Sequence, residues 1–191
     1  MKKVVVFCGS SVGFNSDYKE AAIELGKMFV KNNITLVYGG GKIGMMGIIA
    51  DTILAEKGKV IGVIPKLLEK KEVVHRGVSE LIITKKMSER KVIMSKLVDG
   101  YITLPGGFGT LDELFEAITL IQTKKIEKFP VILVGTHFWN GLLEWIKATL
   151  LEKFETISAK DLDLIHVVDT SEEVISILNN FYNEYKLSPN F

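Results

Sequence analysis

The chain of 191 residues, with 47% hydrophobic and 25% charged residues, is long and apolar enough to bury the core of one ordinary domain, so we expect a single domain over residues 1–191. Its 24 lysines and arginines nearly balance 23 aspartates and glutamates, which argues against a nucleic-acid partner because nucleic-acid-binding domains carry a basic excess. The single cysteine, Cys8, excludes an internal disulfide, and its place at the end of an apolar run predicts a small buried residue. The N-terminal apolar stretch is too short for a signal sequence or a membrane span, so we expect a cytoplasmic protein with no membrane partner.

Seven short apolar runs rich in valine and isoleucine predict strands buried on both faces, as in a parallel sheet. They cover residues 4–8, 34–38, 60–64, 80–84, 100–104, 130–134 and 164–168. Between them, apolar residues recur at helical spacing. The helices predicted from this spacing cover residues 18–31, 45–57, 88–97, 111–122, 140–154 and 171–185. The sequence Thr170-Ser171-Glu172-Glu173 predicts a capping box at the start of the last helix.

Regular alternation of strands and helices predicts an α/β fold with a doubly wound, mostly parallel, Rossmann-like sheet of about seven strands and helices on both faces. In such a sheet, ligands bind beyond the carboxyl ends of the strands, near the point where the strand order reverses. The turns that directly follow strands are therefore the first places to search for function.

The turn after the first predicted strand reads CGSSVG over residues 8–13 and contains Gly9 and Ser10. Glycines let backbone N–H groups approach a ligand closely and serine hydroxyls add donors, so this turn is a candidate contact for phosphate or ribose. With Ser11 at its centre, it also matches G-x-S-x-G, the nucleophile elbow of serine hydrolases. A hydrolase of that kind is disfavoured, since none of the three histidines lies in an evident loop paired with an acid.

The turn after the second predicted strand has five glycines in nine residues, 39–47. Gly39, Gly41 and Gly44 satisfy G-x-G-x-x-G between a strand and a helix, the pattern of dinucleotide-binding turns. So many glycines cost chain entropy and add nothing to the core, which favours a functional use. An NAD site also needs an acid about 20 residues further on, after the next strand, and residues 63–66 read VIPK, so NAD binding is disfavoured.

The turn at residues 104–113 ends the fifth predicted strand and opens a helix. Gly106, Gly107 and Gly109 expose backbone N–H groups, and Thr110 adds a hydroxyl. Because a helix N-terminus carries partial positive charge, this segment is a candidate cradle for an anion such as phosphate. No Gly-Lys-Ser/Thr follows, so a Walker loop that binds a magnesium triphosphate is not indicated.

Charged pairs stand at two predicted helix starts. Asp112 and Glu113 fall in the first turn of one helix; Asp112 alone could balance the helix dipole, which leaves Glu113 as a candidate catalytic residue. Arg90 and Lys91, in the segment 87–91, lie at the start of another helix, the unfavourable end for a cation. A guanidinium there can grip a phosphate or a carboxylate with two hydrogen bonds, the alternative being an ordinary exposed surface charge.

Residues 105–113, PGGFGTLDE, match P-G-G-x-G-T-x-x-E, and with Arg90-Lys91 and the glycine cluster at 38–47 they resemble the Lonely Guy (LOG) family. Members are cytokinin riboside 5′-monophosphate phosphoribohydrolases, many of them mislabelled as lysine decarboxylases. The resemblance implies hydrolysis of the N-glycosidic bond of a nucleoside 5′-monophosphate to free base and ribose 5-phosphate, without a cofactor. It also implies a homodimer or larger homo-oligomer with the site near the subunit interface.

In this resemblance, Arg90 and Glu113 match the two residues taken as catalytic. The matching glycines and threonine of residues 106–110 would hold the phosphate, and the first two turns would border the nucleotide. The candidate substrate-binding residues are Gly9, Ser10, Gly41, Gly44, Met87, Lys91, Gly106, Gly107, Gly109, Thr110 and Asp112.

The chain departs from many plant-like members, which have histidine where Ser88 stands. Phe108, the continuation at 114–122 and Phe138-Trp139 look closer to a bacterial branch of the family. Two substrates therefore stay open, the N6-modified adenine nucleotide of cytokinin biosynthesis and AMP.

Cleavage of a C–N glycosidic bond builds positive charge on the ribose, and a carboxylate can stabilise that charge or activate the attacking water. Glu113 is the candidate carboxylate; Arg90 would orient it or the phosphate, and its charge would keep the carboxylate ionised. The sequence has no cluster of ligands at metal spacing, so no metal is expected.

Two other functions stay open as alternatives. A non-catalytic carrier of a nucleotide or of the molybdenum cofactor would keep the glycine turns without needing Arg90 and Glu113, so the presence of both favours the enzyme. A lysine decarboxylase needs pyridoxal phosphate bound as an imine to a lysine, and no lysine lies in a recognisable cofactor motif.

Overall fold

The computed structural model describes residues 2–13, 16–69 and 74–187. The strands are β1 (Lys3–Phe7), β2 (Thr35–Tyr38), β3 (Val60–Pro65), β4 (Glu80–Thr84), β5 (Tyr101–Thr103), β6 (Val131–Val134) and β7 (Ile165–Val168). The helices are α1 (Ser16–Lys31), α2 (Gly44–Ala55), α3 (Lys66–Glu69), α4 (Met87–Leu97), α5 (Phe108–Gln122), α6 (Thr136–Trp145), α7 (Ala159–Leu162) and α8 (Ser171–Leu187), and a π-helical segment, Ile146–Lys153, continues α6.

The strands form one seven-stranded sheet in the order β4-β3-β2-β1-β5-β6-β7, and every pairing is parallel. The predicted strands and the doubly wound α/β class are confirmed. The chain builds outward from β1 to β4 on one side and then returns to place β5 against the other side of β1. The order therefore reverses between β1 and β5, which is where such sheets bind ligands.

The central strand shows why the sheet is covered on both faces. Val4 and Val6 lie in one buried cluster and Val5 and Phe7 in the other, because successive side chains of a strand point to opposite faces. Helices α1, α2 and α8 cover the first cluster, and α4, α5 and α6 cover the second. Such strands read as unbroken apolar runs in the sequence.

The helices differ from the predicted ones mainly at their starts. The predicted helix at 140–154 begins earlier, at Thr136, and its second half is π-helical. The early start has a tertiary cause, since the Thr136 backbone N–H donates a hydrogen bond of 2.7 Å to the Asp169 carboxylate. Helices α3 and α7 were not predicted, because four residues are too few to show helical periodicity.

Two local predictions are confirmed. In the capping box of α8, the Glu173 N–H donates to Thr170 Oγ1 at 3.3 Å, and the Thr170 N–H donates to Glu173 Oε2 at 3.0 Å. Cys8 is buried, with 7% of its surface exposed. No helix among the described residues is long and apolar enough to cross a bilayer. The cytoplasmic location and the single domain over 1–191 stay predictions.

Candidate active site

The three glycine-containing turns meet at the carboxyl edge of the sheet, where the strand order reverses. The Gly9 N–H, after β1, donates a hydrogen bond of 3.2 Å to the Pro105 carbonyl, after β5. At the start of α2, Gly44 lies so close to the Ser10 carbonyl, with a φ of +64°, that a Cβ there would collide with it. These contacts bring together three chain segments that are remote in sequence.

The three glycines of the third turn differ in what a side chain at each position would contact. A Cβ on Gly106 would collide with Thr110 Oγ1 and would lie 2.9 Å from the Gly9 nitrogen, so packing inside the protein requires glycine here. Added Cβ atoms on Gly107 and Gly109 would meet nothing within 4 Å. Because glycine lowers stability without contributing to the core, the open space at Gly107 and Gly109 favours close approach of a ligand.

Helix α5 begins directly beyond these glycines. Its N-cap residue is Gly107, which has no side chain to accept hydrogen bonds from the first turn. The first N–H groups of a helix lack partners within the helix and carry partial positive charge. The N-terminus of α5 is therefore ready to bind an anion.

Arg90 of α4 and Glu113 of α5 form an ion pair at this edge, with 2.9 Å between Arg90 Nη1 and Glu113 Oε1. Each side chain is only 11% exposed. Arg90 Nε donates a hydrogen bond of 3.0 Å to the Val63 carbonyl in β3. A Cβ on Gly39 would collide with Arg90 Nη2, so the glycine leaves the space that the guanidinium fills.

Burial raises the pKa of Glu113, while the charges of Arg90 and Lys91 lower it, and the net direction is upward. Arg90 was expected to keep this carboxylate ionised. Its charge does favour the ionised form, but desolvation of the carboxylate favours the neutral form and has the larger effect on the pKa. Glu113 Oε1 receives no well-aligned hydrogen bond from the described residues, so Arg90 pairs with it mainly through charge. A carboxylate with a raised pKa is a stronger base, which suits proton abstraction near neutral pH.

Lys91 lies between two carboxylates of α5. Its Nζ is 2.6 Å from Asp112 Oδ2 and 2.6 Å from Glu116 Oε2. Burial lowers the pKa of Lys91, but these two partners more than offset burial and leave the pKa raised. Glu116 was not among the predicted site residues, although its spacing of four residues from Asp112 on one helix face is the signal that could have found it.

A cleft of about 290 Å³ opens at this edge of the sheet. The candidate residues that line it are Gly9, Ser10, Met87, Arg90, Lys91, Gly107, Gly109, Thr110, Asp112 and Glu113. Gly44 and Gly106 lie just behind it, where they hold the turns together. Gly41 does not line the cleft; it is buried and forms an antiparallel bridge with Val74. Apart from Met87, the apolar residues of the lining were not among the predicted site residues; they are Cys8, Met46, Leu68 and Phe108.

Three buried side-chain oxygens have no hydrogen-bond partner within the described structure: Tyr38 Oη, Thr103 Oγ1 and Glu113 Oε1. Tyr38 ends β2 and Thr103 ends β5, so both lie at the same edge of the sheet as Glu113. Buried polar groups in proteins are usually hydrogen-bonded, and exceptions gather at functional sites.

Grooves of about 840 and 530 Å³ lie at the opposite edge of the sheet, around Phe129 and Leu164. They lack glycine turns, so their greater size does not outweigh the chemistry of the smaller cleft.

The structure corrects the sequence analysis on one histidine. His75 does pair with an acid, with 2.8 Å between its Nε2 and Asp51 Oδ1, and its Nδ1 accepts a hydrogen bond of 3.2 Å from the Gly77 N–H. The pair was not evident because the partners are 24 residues apart and meet only in the fold. Both ring nitrogens are occupied by these contacts, so His75 does not serve Ser11 as the base of a serine hydrolase.

Sequence comparison matches residues 46–178 to a family described as "Possible lysine decarboxylase". The chain is 41% identical over 181 residues to cytokinin riboside 5′-monophosphate phosphoribohydrolase LOG1 of Arabidopsis thaliana, covering 94% of this chain and 84% of the relative. It is 39% identical over 187 residues to the enzyme LOG of Oryza sativa subsp. japonica, covering 97% and 76% of the two chains. The chain belongs to the LOG family.

Solved structures share the fold of this LOG-family protein. The molybdenum cofactor carrier protein MCP of Chlamydomonas reinhardtii superposes with a TM-score of 0.72 at 21% identity, covering 95% of this chain and 98% of that chain. The molybdenum cofactor binding protein of Rippkaea orientalis superposes with a TM-score of 0.69 at 20% identity, again covering 95% of this chain and 98% of that chain. At such identities the likeness concerns the fold alone.

Pyridoxal phosphate, which a lysine decarboxylase would use, does not fit this cleft of the LOG-family protein. Among the described residues, Lys91 is the one lysine that lines the cleft, and two carboxylates hold its ammonium group. An imine requires a neutral amine, whereas the pKa of Lys91 is raised.

Proposed function

We propose that the protein hydrolyses the N-glycosidic bond of a nucleoside 5′-monophosphate, adding water across the bond to release the base and ribose 5-phosphate. The observation that carries this proposal is the largely buried Arg90–Glu113 pair, with 2.9 Å between Nη1 and Oε1, beside an uncapped helix N-terminus. The names of the LOG relatives, phosphoribohydrolases of a riboside 5′-monophosphate, support it.

The phosphate would bind at the N-terminus of α5. Gly107 and Gly109 are exposed and leave open space for a close approach to the backbone N–H groups. Thr110 lies in the first turn of the same helix and lines the cleft. Binding energy from the phosphate can position the sugar against the reacting carboxylate.

Glu113 would act on the sugar carbon that loses the base. Bond cleavage gives that carbon oxocarbenium character, which a carboxylate stabilises, and the same group can accept a proton from the attacking water. Arg90 would orient Glu113, since its guanidinium is itself fixed by the Val63 carbonyl. Lys91 would fix Asp112 and Glu116 in α5 and so brace the helix that carries Glu113.

The apolar part of the lining, formed by Met46, Leu68, Met87 and Phe108, supports binding of a flat purine base. Phe108 is 92% exposed at the mouth of the cleft and is available to contact a substituent on the base. Both AMP and an N6-modified adenine nucleotide are therefore substrates to test.

We also propose a homodimer or larger homo-oligomer. Apolar side chains are exposed on the two helices that carry the catalytic pair, with Met87 and Val92 on α4 and Phe108 and Phe115 on α5. Several exposed apolar side chains beside a functional cleft are typical of a surface that is covered in an assembly. Sedimentation equilibrium measures the assembly directly, and a monomer at micromolar concentration would contradict the proposal.

The test is base release from AMP and from N6-isopentenyl-AMP, measured with the wild type and with Glu113→Gln. We expect the variant to lose about 10²- to 10⁴-fold in base release, the range for a lost acid–base group, while its AMP affinity by calorimetry is retained. Glu144→Gln, which changes an exposed carboxylate on α6, is the matched control and should keep full activity.

Full activity of Glu113→Gln would remove this residue from the chemistry. Tight nucleotide binding by the wild type without base release from either substrate would contradict the enzyme and favour a carrier. The ratio of the two rates in the wild type would identify the preferred base.

A further inference from the structure

His75 is a buried imidazole that the proposed reaction does not use. It lies between α3 and β4, and its side chain is 6% exposed. Its partner, Asp51 of α2, has a side chain that is 60% exposed. Buried polar groups are normally hydrogen-bonded, so the contacts of this imidazole indicate its role.

Those contacts define how the ring is protonated. Nδ1 accepts a hydrogen bond from the Gly77 N–H, so it carries no proton, and the proton therefore lies on Nε2, 2.8 Å from Asp51 Oδ1. The ring is thus held from two sides in one orientation. Asp51 brings α2 into this arrangement, and Gly77 brings the segment that leads into β4.

The backbone of His75 extends the arrangement to the second glycine turn. Its N–H donates a hydrogen bond of 3.0 Å to the Gly40 carbonyl, and the adjacent residue Val74 forms the bridge with Gly41. Gly40 has a φ of +81°, a conformation that glycine adopts readily and that other residues rarely adopt. The turn is therefore held on one side by residues 74–75 and on the other by α2.

The same turn sets the position of Arg90. Gly39 directly precedes the supported residues, and Arg90 Nη2 packs so tightly against it that no Cβ would fit between them. A shift of Gly39 would therefore move the guanidinium away from the Val63 carbonyl and from Glu113.

We propose that the His75–Asp51 pair is a positioning device that holds the second glycine turn against Arg90 and thereby sets the geometry of the Arg90–Glu113 pair. Its kinetic consequence rests on the proposed function, whereas its effect on Arg90 does not. His75 and Asp51 are positioning residues, because they act through the turn.

The experiment compares Asp51→Ala with Asp51→Asn. Alanine removes the acceptor for His75 Nε2, whereas asparagine keeps an acceptor oxygen in the same place. Because Asp51 is largely exposed, neither change is expected to prevent folding. Asp163→Ala, at another exposed aspartate, is the matched control. A third variant, His75→Gln, keeps a donor toward Asp51 and tests the same contact from the other side.

The first readout is independent of activity. The Arg90 Nε–H resonance, assigned by its loss in Arg90→Lys, reports the hydrogen bond to the Val63 carbonyl through its exchange with solvent. We expect exchange in Asp51→Ala to accelerate at least about tenfold, as for a contact that opens locally, and to be nearly restored in Asp51→Asn. His75→Gln, which keeps the donor toward Asp51, should exchange nearly as slowly as the wild type. Unchanged exchange in Asp51→Ala would overturn the proposal.

The second readout separates kcat from KM for base release. We expect kcat of Asp51→Ala to fall about tenfold with KM changed less than about twofold, because misplacement of a catalytic group by about 1 Å costs up to about 10²-fold in rate. A lower melting temperature with unchanged kcat would mean that the pair only stabilises the fold, which contradicts the proposal. If the wild type releases no base, the proposed function fails, and the exchange measurement still decides whether the pair positions Arg90.

Discussion

Helix starts around the cleft differ from helix starts in the last third of the chain. The N-cap residues of α2, α4 and α5 are Ile43, Lys86 and Gly107, and none of them accepts a side-chain hydrogen bond from its helix. By contrast, carboxylates close the starts of three later helices: Asp169 for α6, Asp161 for α7 and Glu173 for α8.

The difference shows at which helix N-termini the backbone N–H donors stay available for a ligand. A side-chain N-cap is worth about 0.5–2 kcal/mol of stability, and away from the cleft Thr170 supplies one for α8 by accepting the Glu173 N–H at 3.3 Å. At α4, Glu89 accepts a hydrogen bond of 2.9 Å from the Lys85 N–H, as Glu173 does from the Asp169 N–H at α8, but the N-cap residue Lys86 accepts no hydrogen bond from its helix. At α5, the first-turn N–H groups face the cleft without a side-chain acceptor at the N-cap, which is the condition for binding an anion.

The largest expected effect is on nucleotide affinity, when the N-terminus of α5 is capped by the substitution Gly107→Asp. The backbone there is extended, and a Cβ meets nothing within 4 Å, so the side chain fits and caps the helix. We expect nucleotide affinity by calorimetry to fall at least about a hundredfold, since two like charges about 4 Å apart repel by about 4 kcal/mol at an effective dielectric constant of about 20. The melting temperature should stay level or rise slightly.

Gly107→Asn is the control for that experiment, because it caps the helix equally well without a charge. Its affinity should fall less than that of Gly107→Asp. Undiminished affinity in both variants would mean that the phosphate binds elsewhere.

A smaller effect is expected from opening a capped helix with Thr170→Ala. Loss of the hydroxyl that accepts the Glu173 N–H should lower the free energy of unfolding by about 0.5–2 kcal/mol, measured by urea denaturation, and leave base release unchanged. Hydrogen bonds from Thr170 and Asp169 lower the pKa of Glu173, so its capping contribution is present above the unfolded-state pKa and is lost as pH falls through the lowered one. A variant with wild-type stability at neutral pH would show that this cap contributes nothing.

The smallest effect is a shift in pH dependence with Lys91→Gln. Burial raises the pKa of Glu113, and Arg90 and then Lys91 lower it, so removal of the Lys91 charge should raise it further. If ionised Glu113 is the active form, activity is lost as pH falls through this pKa. The acidic limb of the profile of kcat/KM should therefore move to higher pH in the variant. An unmoved limb would mean that another group controls it.

The sequence was sufficient for the fold where the signal was local. The strands of a doubly wound parallel sheet are buried on both faces, so β1 and β2 read as unbroken apolar runs. The start of α6 was wrong by four residues, because the hydrogen bond from Thr136 to Asp169 joins residues 33 apart. No local pattern records such a contact.

The candidate site also has features that could be predicted from local sequence and features that depend on tertiary packing. The glycine turns and the charges at helix starts are visible in sequence because they break local rules, as Arg90 does at the start of α4. That Lys91 would pair with Asp112 and Glu116, and that Gly41 would lie outside the cleft, depends on how α4, α5 and residue 74 pack together. The pKa of Glu113 is raised because the side chain is buried, and that burial cannot be predicted from the sequence.

The close approach of Gly39 to Arg90 has a consequence for how this sequence can change over time. A Cβ at position 39 would overlap the Arg90 guanidinium in its present place, so a side chain there would push the guanidinium away from the Val63 carbonyl and from Glu113. Loss of the arginine would relieve this overlap and leave Met46 Sδ, 3.0 Å from the added Cβ, as the next contact, whereas a side chain gained first at position 39 would break the ion pair. The residues at positions 39 and 90 are therefore coupled, and a relative in which position 39 has gained a side chain is expected to hold its arginine in a different place.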